Sequence, residues 1–236
     1  MALRSDGLRT EKRILTTCVR LFLENGYHAT TMQQISRESG VSIGSFFNLF
    51  HSKDGVLLEL VRFMFKNQFG MARSVTGAEL PPVYVYAVET AIQLTLTELN
   101  EHLRDIYLEA YTCRETLDYI QRATAGELYR IFGSYQPELT QQDFDELEVG
   151  SAGLMRGYMA NPCTEAFPLE RKLSKFLAMA LRVYRVPEDE VRRVLAFVLG
   201  LDIPAISQQV MESLFQALAM RYDFSLNGLL PKKEAT

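Results

Sequence analysis

The chain is predicted to be all-α, with a three-helix N-terminal head carrying a helix-turn-helix and a C-terminal helical bundle behind it. Three observations predict this. Apolar residues recur at spacings of three and four along most of the chain, which is the period of an amphipathic helix. Stop signals interrupt that rhythm at helix-length intervals: Asn25-Gly26, Gly40, Pro81-Pro82, Pro137, Asn161-Pro162 and Pro187,. No alternation of apolar and polar residues is long enough to make a strand, and there is no internal repeat,.

Taken in order, residues 1–7 are expected to form a disordered arm, and Arg4, Arg9, Lys12 and Arg13 are read first as a solvated basic start and second as phosphate contacts. The first helix runs from about 9 to 25, and Ile14, Cys18, Leu21 and Phe22 form its buried stripe,. Cys18 on that stripe is core filler. Gly26 ends the helix, and Tyr27 packs beneath the next two helices. Thr31 caps a second helix, with Gln34 where a capping box would place it. Gly40 supplies the left-handed backbone of a tight turn. A third helix starts near Ser42 and is expected to bury Phe46 and Leu49. Buried positions 35, 41, 46 and 49 with glycine at 40 fit a helix-turn-helix; the alternative is an ordinary helical hairpin.

Ser52 caps the fourth helix, whose Lys53 opposes the helix dipole unless an anion arrives there. Leu57, Leu60, Val61, Met64 and Phe65 form its buried side, and Gly77 with Pro81-Pro82 ends it. Further helices are expected from 83 to about 99, to about 112, from Glu115 to Gly133, from about 140 to 160, from Pro168 onward, and from Val186-Pro187 to about 222. Asn100-Glu101-His102 separates the first two of these. The last is expected to kink or break at Pro204. The expected domains are 1–52 for the head, 53–226 for the bundle and 227–236 for a flexible tail.

Composition bounds function. The chain has 236 residues, 47% hydrophobic, and a net charge of −4. Residues 1–60 carry one net positive charge and the rest five net negative, so the acidity lies away from the head. No apolar run reaches the length of a membrane span, and the polar N-terminus lacks the apolar stretch of a secretion signal. Cys18, Cys113 and Cys163 are odd in number and far apart, which suits free thiols in a reducing cytoplasm. His28, His51 and His102 are isolated, and neither a metal-ligand pair nor a phosphate loop nor a nucleophile elbow is present,. The expectation is no enzyme, no metal and no cofactor.

Gly150, Gly153 and Gly157 share one helix face, and each costs up to about 1 kcal/mol against alanine. Close approach of another helix, in the core or across a dimer axis, offsets that cost; room for a ligand is the second reading. Tyr107, Tyr111, Met155, Tyr158, Met159 and Phe176 are the candidates for lining an apolar pocket with a few hydroxyls.

If the turn presents its second helix to DNA, Thr31, Ser42 and Ser45 suit phosphate oxygens, and Gln33 and Gln34 stand where the backbone passes. Asn48 suits an adenine edge. Ile43 lies on the same outer face, Gly44 admits close approach, and Lys53 suits a phosphate. Phe47 is either exposed towards a thymine methyl or buried.

These residues and their flanks, RILTTCVRLFLENGYHATT before and HSKDGVLLELV after, resemble the N-terminal domain of the tetracycline-repressor (TetR) family. The likeness rests on residues such as Leu21, Phe22, Gly26, Tyr27, Thr30, Thr31, Gly40, Val41, Ser42, Gly44, Phe50 and Lys53, and covers about 9–62. This chain departs from it at Ile43, Phe47 and Leu49, where relatives often carry lysine, tyrosine and histidine. The resemblance implies a homodimer on a palindromic operator in double-stranded DNA, a small-molecule inducer in the C-terminal domain, and repression relieved by that inducer. The dimer helices would be about 140–160 or 167–185, together with 187–222. The rival reading is an all-α ligand-binding or interaction protein whose head no longer binds DNA.

Overall fold

A computed structural model describes residues 2–76 and 80–222. Among them are eleven α-helices and no strand: α1 (Ala2–Asn25), α2 (Met32–Ser39), α3 (Ile43–Phe50), α4 (Lys53–Thr76), α5 (Pro82–Leu99), α6 (Glu101–Ala110), α7 (Arg114–Phe132), α8 (Gln141–Ala160), α9 (Leu169–Val183), α10 (Glu188–Leu199) and α11 (Ile203–Tyr222). Gly77 and the expected tail 227–236 lie outside the described residues.

The head is built on α1. Ile14, Leu15, Cys18, Leu21 and Phe22 are buried there, against Tyr27, Ile35, Val41, Phe46 and Leu57. Burial pushes the Cys18 thiol up to about 12, so it is inert filler. The head departs from expectation at two points. Residues 2–7 are helical, continuous with α1, because the single glycine at position 7 costs only about 1 kcal/mol in a helix. Leu49 is 39% exposed, and Phe50 is buried instead. Phe46 and Phe50 stand one turn apart on the inner face with rings 5.6 Å apart, which rotates Leu49 outward.

The turn between α2 and α3 is held as its residues require. Gly40 has φ +60°, a left-handed conformation that glycine adopts without steric cost. Its N–H and that of Val41 both donate to Ser36 O, and the Ser36 hydroxyl donates to Val41 O at 2.7 Å. Ser36 thus ties both sides of the turn together.

Behind the head, α5 is the axle. Val85, Ala87, Val88, Ala91, Leu94 and Leu96 are all buried, and they point in every direction around the helix. A helix that is apolar all round belongs inside a bundle, and α4, α6, α7, α8, α9, α10 and α11 all pack on α5. Asn100 separates α5 from α6 by capping the latter through His102 N and Leu103 N. Thr140 and Asp143 form a reciprocal capping box on α8,.

The expected break at Pro204 falls earlier. The α10 helix ends at Leu199, and α11 starts at Ile203 at an angle of 71° to it. Asp202 accepts from Ala205 N at 3.1 Å, leaving Pro204 in the first turn, where its missing N–H costs nothing. Gly150, Gly153 and Gly157 are exposed, and a Cβ on any of them would meet nothing within 4 Å. Packing within the chain is therefore not what favours glycine there.

One buried ionic cluster joins residues that no spacing in the sequence connects. Lys172 is fully buried on the face of α9 that meets α5. Its ammonium donates to Glu98 Oε1 and to Asn161 O, both at 2.5 Å. Arg104 and the backbone N–H of Cys163 donate to the other Glu98 oxygen at 3.0 and 2.9 Å. These hydrogen bonds and the two cations hold the Glu98 carboxyl below its ordinary range, against the opposing pull of burial,.

Candidate nucleic-acid interface and ligand cavity

The outer face of the helix-turn-helix assembles from two caps. Thr31 accepts from Gln34 N, and Ser42 accepts from Ser45 N, both at 3.2 Å. The hydroxyls of Ser42 and Ser45 are 2.9 Å apart. Thr31, Gln33, Ser42, Ile43, Gly44, Phe47 and Asn48 are exposed, while Gln34 and Ser45 are half-buried. A Cβ on Gly44 would meet nothing within 4 Å. Phe47 is 46% exposed, which settles its two readings for the outward one; Ile43 and Leu49 join it on the surface. Leu49 therefore belongs to this face, and sequence reasoning missed it by counting it as core.

Lys53 is placed differently from expectation. Its ammonium donates to Tyr27 O at 2.6 Å and Thr30 O at 3.0 Å, and sits 4.2 Å from the centre of the Tyr27 ring. Burial pulls it below the ordinary lysine range. It pins the α1–α2 turn to α4, because the end carbonyls of that turn need donors and α4 brings one. The Tyr27 hydroxyl donates to Asp54 in the same corner.

That turn is also strapped to the bundle. Asp105 on α6 accepts from Tyr27 N at 2.8 Å and His28 N at 3.3 Å. The His28 ring lies 3.4 Å from Asp105 and 3.3 Å from Glu109. Gly26, at φ +83°, permits the approach: a Cβ there would sit 3.1 Å from both Asp105 and His102.

Two adjoining cavities lie inside the bundle, the first reaching α8 and the second enclosed by α4 to α7. One, about 50 Å³, is bounded by Tyr86, Glu89 and Thr90 of α5 and by Glu148, Ser151 and Met155 of α8. The other, about 30 Å³, is bounded by Leu57, Leu60, Val61 and Met64 of α4 and by Ile106 and Tyr107 of α6. Phe65, Gln93 and Tyr111 line both. Of the expected pocket residues, Tyr111, Met155 and Phe176 line the first cavity, and Tyr107 with Tyr111 the second. Tyr158 and Met159 line neither. Met159 is fully buried in the core, and the Tyr158 ring packs on Phe176 while its hydroxyl meets Met179 Sδ at 3.3 Å.

Glu89 and Glu148 are the lining residues that sequence reasoning passed over. Glu148 is 4% exposed, and burial pushes its carboxyl up to about 7 against a donated hydrogen bond from Ser151. A signal existed: positions 144, 148, 152, 155 and 159 form the buried stripe of α8, and a carboxylate in an apolar register is out of place.

The head is a helix-turn-helix with its second helix exposed, mounted on an all-helical body, and an exposed helix of this kind has the shape that a DNA major groove admits. Residues 14–60 match the model of the bacterial regulatory proteins of the tetR family. The chain is 31% identical over 94 residues to an uncharacterized HTH-type transcriptional regulator, YuxN, of Bacillus subtilis, covering 39% of this chain and 30% of that protein. It is 34% identical over 75 residues to the HTH-type transcriptional repressor KstR2 of Rhodococcus jostii, covering 32% of this chain and 36% of that protein. The chain thus spans about a third of the length of these curated relatives. The crystal structure of RolR in complex with the ligand resorcinol superposes with a TM-score of 0.63 at 17% identity, covering 83% of this chain and 96% of that one. At that identity the likeness speaks for the fold.

Proposed function

We propose that the chain is a sequence-specific DNA-binding transcriptional regulator, a repressor released from its operator by a small molecule bound between α4 and α8. The observation that carries this reading is the α3 surface: Ser42, Ile43, Gly44, Phe47 and Asn48 stand outward on a helix whose inner face is locked into the head core. Residues 1–52 serve as the DNA-binding unit, 53–226 as the regulatory unit, in a cytoplasmic protein with no catalytic role of its own. Thr31, Ser42, Ser45, Gln33 and Gln34 meet phosphates, and Asn48 reads a base. Lys53 serves the fold of the head, since two carbonyls already take its protons.

One recognition helix covers too few base pairs for a genomic address, so the working form is a homodimer on a palindrome. The exposed apolar residues Val149, Met179 and Val183, beside the bare backbone of Gly150, Gly153 and Gly157, support α8 and α9 as its interface. Ligand entry widens the cavities, displacing α4 directly and α6 through Tyr107 and Tyr111. Both helices hold the head, α4 by chain continuity and α6 by Asp105.

A gel shift and footprint with DNA flanking the gene test the proposal. Specific binding tighter than about 1 µM at modest salt is expected, with affinity falling steeply as salt rises. The absence of any lysine or arginine from α3, and the inward turn of Lys53, favour the rival of a head that has lost DNA binding. A flat salt response with no footprint would establish that rival.

A further inference from the structure

The side chains that α3 turns outward suit only one kind of base pair. Ile43, Phe47 and Leu49 are 40%, 46% and 39% exposed, and Gly44 and Asn48 are exposed with them. Phe46 and Phe50 mark the inner side of the helix. At about 100° per residue, Asn48 falls opposite that pair, Gly44 lies one turn before it, and Phe47 and Leu49 flank it on either side. Ile43 opens the helix, at the end that meets base edges in a helix-turn-helix,. No lysine, arginine, aspartate or glutamate stands anywhere in α3.

The chemistry of the major groove gives this face a meaning. Guanine shows two acceptors there and is read by arginine or lysine, while the cytosine amine is read by a carboxylate. The α3 helix holds neither kind of group. Adenine is read by the amide of asparagine or glutamine, and the C5-methyl of thymine by an apolar side chain. Both of these are present, the amide in the middle and apolar groups around it. The half-buried Ser45, its hydroxyl beside that of Ser42, suits either pair,. The nearest cations along the chain do not alter this. Arg37 belongs to α2, the helix that crosses the phosphate backbone,, and the Lys53 ammonium is held by Tyr27 O and Thr30 O.

From this arrangement we infer that α3 reads A·T base pairs through thymine methyl groups, packed on Phe47 with Ile43 and Leu49, around an adenine held by Asn48. The core of each operator half-site is then A·T, and its recognition depends on the methyls. The inference rests on the head binding DNA. Each methyl that leaves water against the three apolar side chains stabilises the complex. A G·C pair in the same place would bury an amine or acceptor edge against them without a partner, which is uncompensated. Contacts to phosphate alone would leave the three apolar groups with no role.

The test starts from the full chain and a library of random-sequence duplexes. The enriched site is resynthesised with deoxyuridine for thymidine inside the footprint, which removes the methyls and keeps every hydrogen-bonding group. Half-site cores of A·T pairs are expected. Affinity should fall at least about tenfold on that replacement, since each buried methyl accounts for about fourfold. Deoxyuridine outside the footprint should change nothing. Phe47→Ala alters an exposed position, so its melting curve should match the parent's, and the loss on removing the methyls should shrink to about threefold or less. Asn48→Ala should bind both duplexes more weakly and keep the methyl preference. Half-site cores of G·C pairs, equal affinity for the thymine and uracil duplexes, or a methyl preference that Phe47→Ala leaves at full size would each overturn the inference and leave the DNA-binding reading standing. Enrichment of no sequence at all would remove both.

Discussion

Asn48 is exposed on the outer face of α3, where its amide can offer a donor and an acceptor to one base edge,. Replacing it by alanine removes no buried contact. Asn48→Ala should therefore weaken specific operator binding by about 1–3 kcal/mol, with an unchanged melting curve. Equal affinity in a quantitative gel shift would remove Asn48 from the reading set. Glu148 is the opposite kind of residue, an acid that the fold holds at a cost. Its carboxyl is pushed from an ordinary 4.5 up to about 7, so between those values the folded chain holds a proton that the unfolded chain has lost. Its contribution therefore makes stability fall as pH rises through that window. Glu148→Gln should be the more stable protein at pH 8 by up to about 3 kcal/mol, and should lose that advantage near pH 5. Denaturant melts of both proteins at the two pH values read the difference.

Among the elements, α6 emerges as a second link between head and cavities, beside α4. Its Asp105 holds two backbone N–H groups of the head, and Tyr107 on the same helix lines a cavity. Asp105→Ala should speed amide exchange at Tyr27 and His28 by about tenfold or more while α5 stays protected, as expected for local opening of a strap. Protection unchanged at both amides would show that α4 alone seats the head. The contact between α5 and α9 depends on Lys172. Lys172→Met strands the Glu98 carboxylate with Arg104 as its remaining cation, and should cost about 3 kcal/mol. Adding Glu98→Gln to that variant should recover most of the loss, since both charges are then gone. Thermal melts of the single and double variants decide it.

For the whole molecule, the bare glycine face of α8 supplies the test of assembly. Gly153→Arg puts a long charged side chain where nothing in one chain stands within 4 Å. The variant should fold as before, since arginine favours helix over glycine by about 1 kcal/mol. It should also sediment as a single chain and lose operator binding at concentrations where the parent binds. A variant that still sediments as a dimer would place the interface elsewhere, with α10 and α11 the next candidates.

Local chemistry alone determined most helix boundaries, the two caps at Thr31 and Ser42, the left-handed turn at Gly40 and the likeness of the head to the tetR-family model. Each is a matter of a few neighbouring residues, and spacing along the chain reports it. Leu49 and Phe50 could not be told apart that way, because both lie within a turn of Phe46 and only the position of α1 and α4 selects the inner one. The fate of Lys53 was likewise decided by Tyr27 and Thr30, distant in sequence, whose carbonyls converge on it. The pairing of Lys172 with Glu98, the strap at Asp105 and the convergence of Glu89 with Glu148 all join separate helices. Tertiary packing decided these, because periodicity shows which face of a helix is buried but not which helix it is buried against.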